Sequence, residues 1–105
     1  MSAEEYLKEY GKCSREINYI EECIKNGSIS KEEGQEKQKA EYEKQDRIVR
    51  DIFRVKKPMD TVLYRRYVLG QKLEDIAEGI NYNYSYTRRL HRMGLKELEK
   101  VLENS

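Results

Sequence analysis

Apolar residues recur at Tyr6, Tyr10, Cys13, Ile17, Ile20 and Ile24, in steps of 4, 3, 4, 3 and 4, with charged residues between them. A 3.5-residue period predicts an amphipathic helix whose stripe needs a partner along its length. Asn26-Gly27-Ser28 stops it. Ser30 followed by Glu33 has the spacing of a capping box and predicts a second helix from Lys31 to about Val55. Lys57-Pro58 ends that helix, because a proline disfavours helical backbone in the residue before it. Its first half, Lys31 to Glu43, is polar apart from Ala40 and Tyr42 and contains Gly34; apolar residues return at Ile48, Val49, Ile52, Phe53 and Val55. Residues 1–57 therefore read as an amphipathic helical hairpin with polar turns fraying into solvent, or as a coiled-coil arm whose stripe pairs between subunits. A chain of 105 residues drawn out into long helices has a thin core, and a homo-oligomer burying the excess stripe is the expectation that follows.

Residues 58–105 show a different rhythm. Asp60 is placed to cap a helix from Thr61 to about Leu69, with Val62, Leu63, Tyr64, Tyr67 and Val68 as its apolar mass and Gly70 as its stop. Leu73, Ile76, Ala77 and Ile80 give one buried face on a short helix. Asn81 is the residue expected in the left-handed region, since asparagine tolerates positive φ. Asn83 then caps a last helix from Tyr84 to near Leu102, whose inner face is Thr87, Leu90, His91, Gly94, Leu98 and Val101 or Leu102. The fold class is all-α: an N-terminal helical hairpin or arm followed by a three-helix unit.

Charged residues make up 39 % of the chain, yet the net charge is +1. Residues 1–57 carry 13 basic and 13 acidic groups, so this half is balanced. From Tyr84 to Lys96 there are four basic side chains and no acid. A local positive face can lie on phosphates although the molecule is almost neutral. No stretch approaches 20 apolar residues, which argues against a membrane span, and the N-terminus with Glu4 and Glu5 lacks the pattern of a secretory signal; a cytoplasmic location is the expectation. Cys13 and Cys23 are too few for a disulfide scaffold, and with one histidine no zinc spacing exists, so both are read as reduced thiols and no metal or cofactor is implied.

The last two helices carry the chemistry. Ala77 is small where two helices must cross closely, Gly94 can do the same lower down, and the stretch Ile80 to Asn83 is short enough to hold a steep angle between them. This is the pattern of a helix-turn-helix, in which the first turns of the second helix enter the major groove of double-stranded DNA. The candidate DNA-facing residues are Asn83, Tyr84, Ser85, Arg88, Arg89 and Arg92. Arg88 and Arg89 suit guanine edges or close phosphate pairing, two roles that the sequence does not separate. Arg92, Lys96 and Lys72 suit the backbone, and Arg65 and Arg66 reach the duplex flank or are solvated. The bland reading of the arginines is a solvated helix face, of His91 a packed ring, and of Tyr82, Tyr84 and Tyr86 duplex contact or helix packing.

Leu63-Tyr64-Arg65-Arg66-Tyr67-Val68-Leu69-Gly70, Leu73-Glu74-Asp75-Ile76-Ala77, Tyr82-Asn83-Tyr84-Ser85-Tyr86 and Arg89-Leu90-His91-Arg92 appear in this order. Together they resemble region 4 of bacterial sigma factors, and still more the small sigma-like regulators of phages and prophages. The resemblance covers Asp60 to Leu102 and implies promoter or operator contacts at Tyr84, Ser85, Arg88, Arg89 and Arg92. Asn81 stands where that family has a turn glycine, Asn83 where it has a serine cap, and Thr87 where it has an aliphatic residue. The first 57 residues do not look like the sigma domains that grip polymerase, so an accessory regulator fits better than a self-sufficient sigma factor.

An enzyme is not expected. There is no glycine-rich phosphate loop, no HExxH and no nucleophile–base pairing, and the acids sit in i,i+4 settings with cations, as in Glu33 with Lys37 and Glu43 with Arg47. Three binding functions are expected: a sequence-specific transcription regulator, dimeric through its arm; a DNA-binding subunit of a larger assembly such as a phage packaging small subunit; and an interaction module for RNA polymerase or a sigma factor.

Overall fold

The computed structural model describes residues 2–104. Within them lie five helices and no strand: α1 (Ala3–Lys25), α2 (Lys31–Ile52), α3 (Met59–Tyr67), α4 (Leu73–Ile80) and α5 (Tyr84–Glu103). None of these helices is long and apolar enough to cross a membrane.

Both long helices start on serine caps. Ser2 Oγ accepts the Glu5 amide and Ser30 Oγ accepts the Glu33 amide, each at 3.1 Å, satisfying donors that the first turn leaves without a partner. Glu4 and Glu5, then Glu32 and Glu33, place negative charge at the positive ends of the helix dipoles. Between the helices Gly27 takes φ +81°, and Asn26 Oδ1 accepts the Ser28 amide at 3.0 Å.

α1 and α2 run antiparallel. Gln45 Nε2 donates to the Tyr10 carbonyl (3.0 Å) and to Ser14 Oγ (2.8 Å), and Gln38 Nε2 donates to the Ile17 carbonyl (3.2 Å) and to Glu21 (2.9 Å). At the other end Tyr6 Oη donates to Asp51 Oδ2 at 2.5 Å. The stripe of α1 is thus consumed inside the chain: Cys13, Ile17 and Ile20 are buried, and Tyr6, Tyr10 and Ile24 are half-buried. The polar first half of α2 is part of this contact rather than frayed. Gly34 is buried, and a Cβ there would lie 2.5 Å from Ile24, so the absent side chain is the space Ile24 occupies. Glutamine amides and one glycine do the pairing that apolar side chains were expected to do. The expectation of an oligomer rested on this stripe, of which the intrachain pair covers Cys13, Ile17 and Ile20 fully and Tyr6, Tyr10 and Ile24 in part.

Several boundaries differ from those the sequence predicts. α2 ends at Ile52, three residues before Val55, because Phe53 to Val55 tighten into a turn with Val55 N donating to the Ile52 carbonyl at 3.0 Å. That turn buries Val55 and leaves Phe53 51 % exposed against the Tyr64 ring. α3 begins at Met59, so Asp60 lies inside its first turn instead of capping it. Its carboxylate, only 2 % exposed, accepts from the Thr61 amide at 2.7 Å and lies 3.4 Å from Lys57 Nζ. α3 closes two residues early, at Tyr67, and Gly70 follows at φ +72°. The ion pairs along α1 and α2 include Glu4–Lys8, Glu9–Lys12 and Glu41–Lys44 rather than Glu33–Lys37 and Glu43–Arg47. The lysine of each pair is exposed, and each exposed pair contributes a few tenths of a kcal/mol, about 0.3–0.5.

One buried cluster ties the molecule together. Ala3 and Leu7 of α1, Ile48 and Ile52 of α2 and Val55 pack with Met59, Val62 and Leu63 of α3, Ile76 of α4, and Leu90 and Leu98 of α5. Ala3 continues the heptad stripe one step before Tyr6, and Leu7 lies beside it, so the N-terminal end of α1 joins the cluster shared with α2, α3 and α5. The α1–α2 pair extends away from this cluster and gives the molecule a 49 Å long axis.

Candidate functional site

α4 and α5 are set by two asparagines. Asn81 adopts φ 61°, ψ 34°, turning the chain out of α4, and Asn83 Oδ1 accepts the Tyr86 amide at 2.8 Å to start α5. Thr87, fully buried, donates its hydroxyl to the Asn83 carbonyl at 2.9 Å. A threonine in the place of an aliphatic residue therefore costs little, because its Oγ1 is satisfied by the turn of helix before it. Below this, Gly94 faces α3: a Cβ there would sit 3.2 Å from Leu63 and 3.3 Å from Met59, so the two helices cross closely at this glycine. Ala77 is buried on α4.

With its inner face fixed by Thr87, Leu90, Gly94 and Leu98, α5 turns the opposite face outward. Asn83, Tyr84, Ser85, Arg88, Arg89, Arg92 and Lys96 are all exposed. Arg88, Arg92 and Lys96 follow each other at one turn apiece, about 6 Å along the axis. Arg89, Arg92 and Lys96 line a cleft of about 420 Å³ with Met93 and Leu95. Lys72 is exposed too but precedes α4, so it lies at the opposite end of that helix from the turn and is not gathered with the others. Glu74, Asp75 and Glu78 are exposed on α4.

The aromatic residues of the turn form two pairs. Tyr82 and Tyr86 meet edge to face at 5.1 Å, so Tyr86 packs on its neighbour in the turn. Arg88 lies over the Tyr84 ring, 5.7 Å from its centroid. The cation–ring pair joins positions 84 and 88, four apart on a helix; that spacing is visible in the sequence, the stacking is not.

His91 sits at the seam between α5 and α3. Its ring stacks on Tyr67, and Nε2 and Tyr67 Oη share a hydrogen bond at 2.8 Å. Burial and then Arg66 hold the imidazole below its ordinary pKa, against the pull of Glu4, and burial pushes the Tyr67 phenol up to about 12. Arg66 is exposed and Arg65 half-buried, and each has a contact within the fold. Arg66 Nη1 donates to the Gln71 carbonyl at 3.2 Å, and the Arg65 guanidinium lies over Gly79 of α4, where an added Cβ would be 3.0 Å from it.

A second basic strip was hidden by the charge balance of residues 1–57. Between Lys44 and Lys57 six cations face two acids, Asp46 and Asp51, and Arg47, Arg50, Arg54, Lys56 and Lys57 are exposed. Counting charge in short windows finds it; counting over the whole half does not. Comparison of the chain with protein-family models, with curated proteins and with solved structures finds no match.

Proposed function

We propose that the protein is a sequence-specific transcription regulator of phage or prophage type that binds double-stranded DNA, with α4, its asparagine turn and α5 acting as a helix-turn-helix on an α1–α2 hairpin arm. The observation that carries this reading is the outer face of α5. From its cap to Lys96 it presents Asn83, Tyr84, Ser85, Arg88, Arg89, Arg92 and Lys96 to solvent, with no acid in that stretch. The inner face of α5 packs on α3 and α4, and apart from the Asn83 cap and the Tyr84–Arg88 contact these side chains are left to solvent. Exposed amides at the start of a capped helix and arginines one turn behind them are the groups that bind phosphates and read base edges. The resemblance of residues 60–102 to sigma region 4 supports the same assignment. The reading makes the chain a cytoplasmic binding module and not an enzyme.

A homodimer on paired half-sites, joined through the α1–α2 arm, belongs to this proposal. Titration into a duplex taken from the gene's own upstream region, beside a scrambled duplex, at two salt concentrations tests the reading. Tight binding that weakens with salt, prefers one duplex and collapses in Arg88→Ala/Arg89→Ala is the expected result. A second reading, an interaction module for RNA polymerase, draws on the acidic edge of α4 at Glu74, Asp75 and Glu78. Absence of duplex binding at low salt selects it.

A further inference from the structure

Resting on the DNA reading, we propose a division of labour within α5: Arg88 reads a guanine, Tyr84 is its positioning residue, and Arg89, Arg92 and Lys96 hold phosphates. Arg88 differs from the other three cations in one respect, that its guanidinium already has a seat. It lies over the Tyr84 ring at 5.7 Å. Side chains on a helix lean toward its N-terminus, so an arginine at the fifth position of α5 drapes over the first turn, the part that enters the groove. A planar guanidinium resting on an exposed ring is biased toward one orientation before DNA arrives, and bidentate pairing with guanine N7 and O6 needs that planar fork aimed in one direction.

Arg89, Arg92 and Lys96 have no such seat. They are exposed and, among the described residues, free of ion pairs. Arg92 and Lys96 lie about 6 and 12 Å further back along the axis than Arg88, beyond the turns that reach base edges, and Arg89 points about 100° round the helix. The three converge on one cleft with Met93 and Leu95. Long mobile cations spread along a helix flank suit a phosphate strand, where direction matters little and charge matters most.

The test starts from a random duplex library, from which the wild-type protein selects its preferred sequence. That duplex, its single-base-pair variants and a scrambled duplex are then titrated across a salt series with the full chain and its variants. Arg88→Ala is expected to erase discrimination at one guanine, about 5- to 150-fold, while binding to the scrambled duplex changes far less. Arg89→Ala, Arg92→Ala and Lys96→Ala are each expected to weaken both duplexes alike and to lower the slope of log K against log salt by about one. Tyr84→Leu, which alters no charge, is expected to cut discrimination at the same guanine about two- to five-fold, with salt slope and scrambled-duplex binding unchanged. Tyr84→Phe keeps the ring and is expected to match wild type. Unchanged discrimination in Tyr84→Leu overturns the positioning role, and so does a loss in Tyr84→Phe equal to that in Tyr84→Leu, which would assign the effect to the hydroxyl. A uniform loss in Arg88→Ala overturns the division of labour while leaving DNA binding intact. If the wild-type protein enriches no sequence and binds no duplex, the DNA reading falls and this inference with it.

Discussion

Ile52→Ala is the substitution that best tests how the arm and the α3–α5 unit are joined. Ile52 is fully buried at the end of α2 and belongs to the same cluster as Leu63, Leu90 and Leu98. Truncation removes three carbons from that cluster, about 2.4 kcal/mol at about 0.8 per methylene, and the cavity left between α2 and the shorter helices brings the loss to about 3–4 kcal/mol. Ile20→Ala removes the same carbons from the outer part of the pair and serves as the control. Urea unfolding followed by circular dichroism at 222 nm reads both. With a slope of about 1.5 kcal/mol per molar urea, Ile52→Ala is expected to lower the midpoint by about 2 M while the transition stays single. Two separate transitions, or a midpoint that moves for only part of the helical signal, would refute the claim of one shared core. The arm and the α3–α5 unit would then be independent, with a boundary near Pro58.

Four further outcomes are expected. Asn83→Ala removes the α5 cap and costs about 1 kcal/mol, read as a lower thermal midpoint, and weakens duplex binding by misplacing the first turn; unchanged values for both would deny the cap its role. Asn81→Gly is tolerated and Asn81→Val costs about 1–2 kcal/mol, because a β-branched residue is strained at φ 61°; equal melting curves would contradict this. The lowered pKa of His91 means that the unfolded chain takes up its proton first, so stability is present above the unfolded value near 6.5 and is lost as pH falls below it; urea midpoints between pH 7.5 and 5 should show this loss and His91→Gln should reduce it. Cys13, buried and with its thiol pushed up to about 11 by burial and by Glu41, should react with a thiol reagent at pH 8 only at the rate of unfolding, and more slowly than half-buried Cys23.

The local determinants were legible in the sequence because they are short-range. Ser30 with its capping spacing, Asn81 at positive φ and Asn83 as a cap each depend on a few neighbouring residues, and the face of α5 that turns outward follows from a 3.6-residue period. What the sequence concealed depends on partners distant along the chain. Gly34 looks like a flaw in a polar helix until Ile24 is found in its place. Gln38 and Gln45 look solvated until they reach carbonyls on α1. Leu7 sits beside the heptad stripe, and its burial depends on a cluster drawn from four other segments of the chain. Nothing in the pattern shows that Arg66 reaches the Gln71 carbonyl or that Arg65 lies against Gly79 of α4. The stacking of Arg88 on Tyr84 separates two arginines that are adjacent in sequence and chemically identical.

The glutamine-to-carbonyl bonds of the α1–α2 pair bear on how the molecule fluctuates. Near Ile52 and Leu7 the pair belongs to the shared apolar cluster; toward Gly34 it is closed by Ile17, Ile20 and Ile24 and by the two bonds of the Gln38 amide. A hydrogen bond exchanged for water contributes little net free energy, about 1 kcal/mol, so the outer end can separate without opening the shared core. Backbone amides should therefore exchange with deuterium in a gradient, fastest beside Asn26 to Ile29 and slowest near Ile52. That gradient makes the tip of the pair a segment that opens and recloses many times for every unfolding of the whole chain.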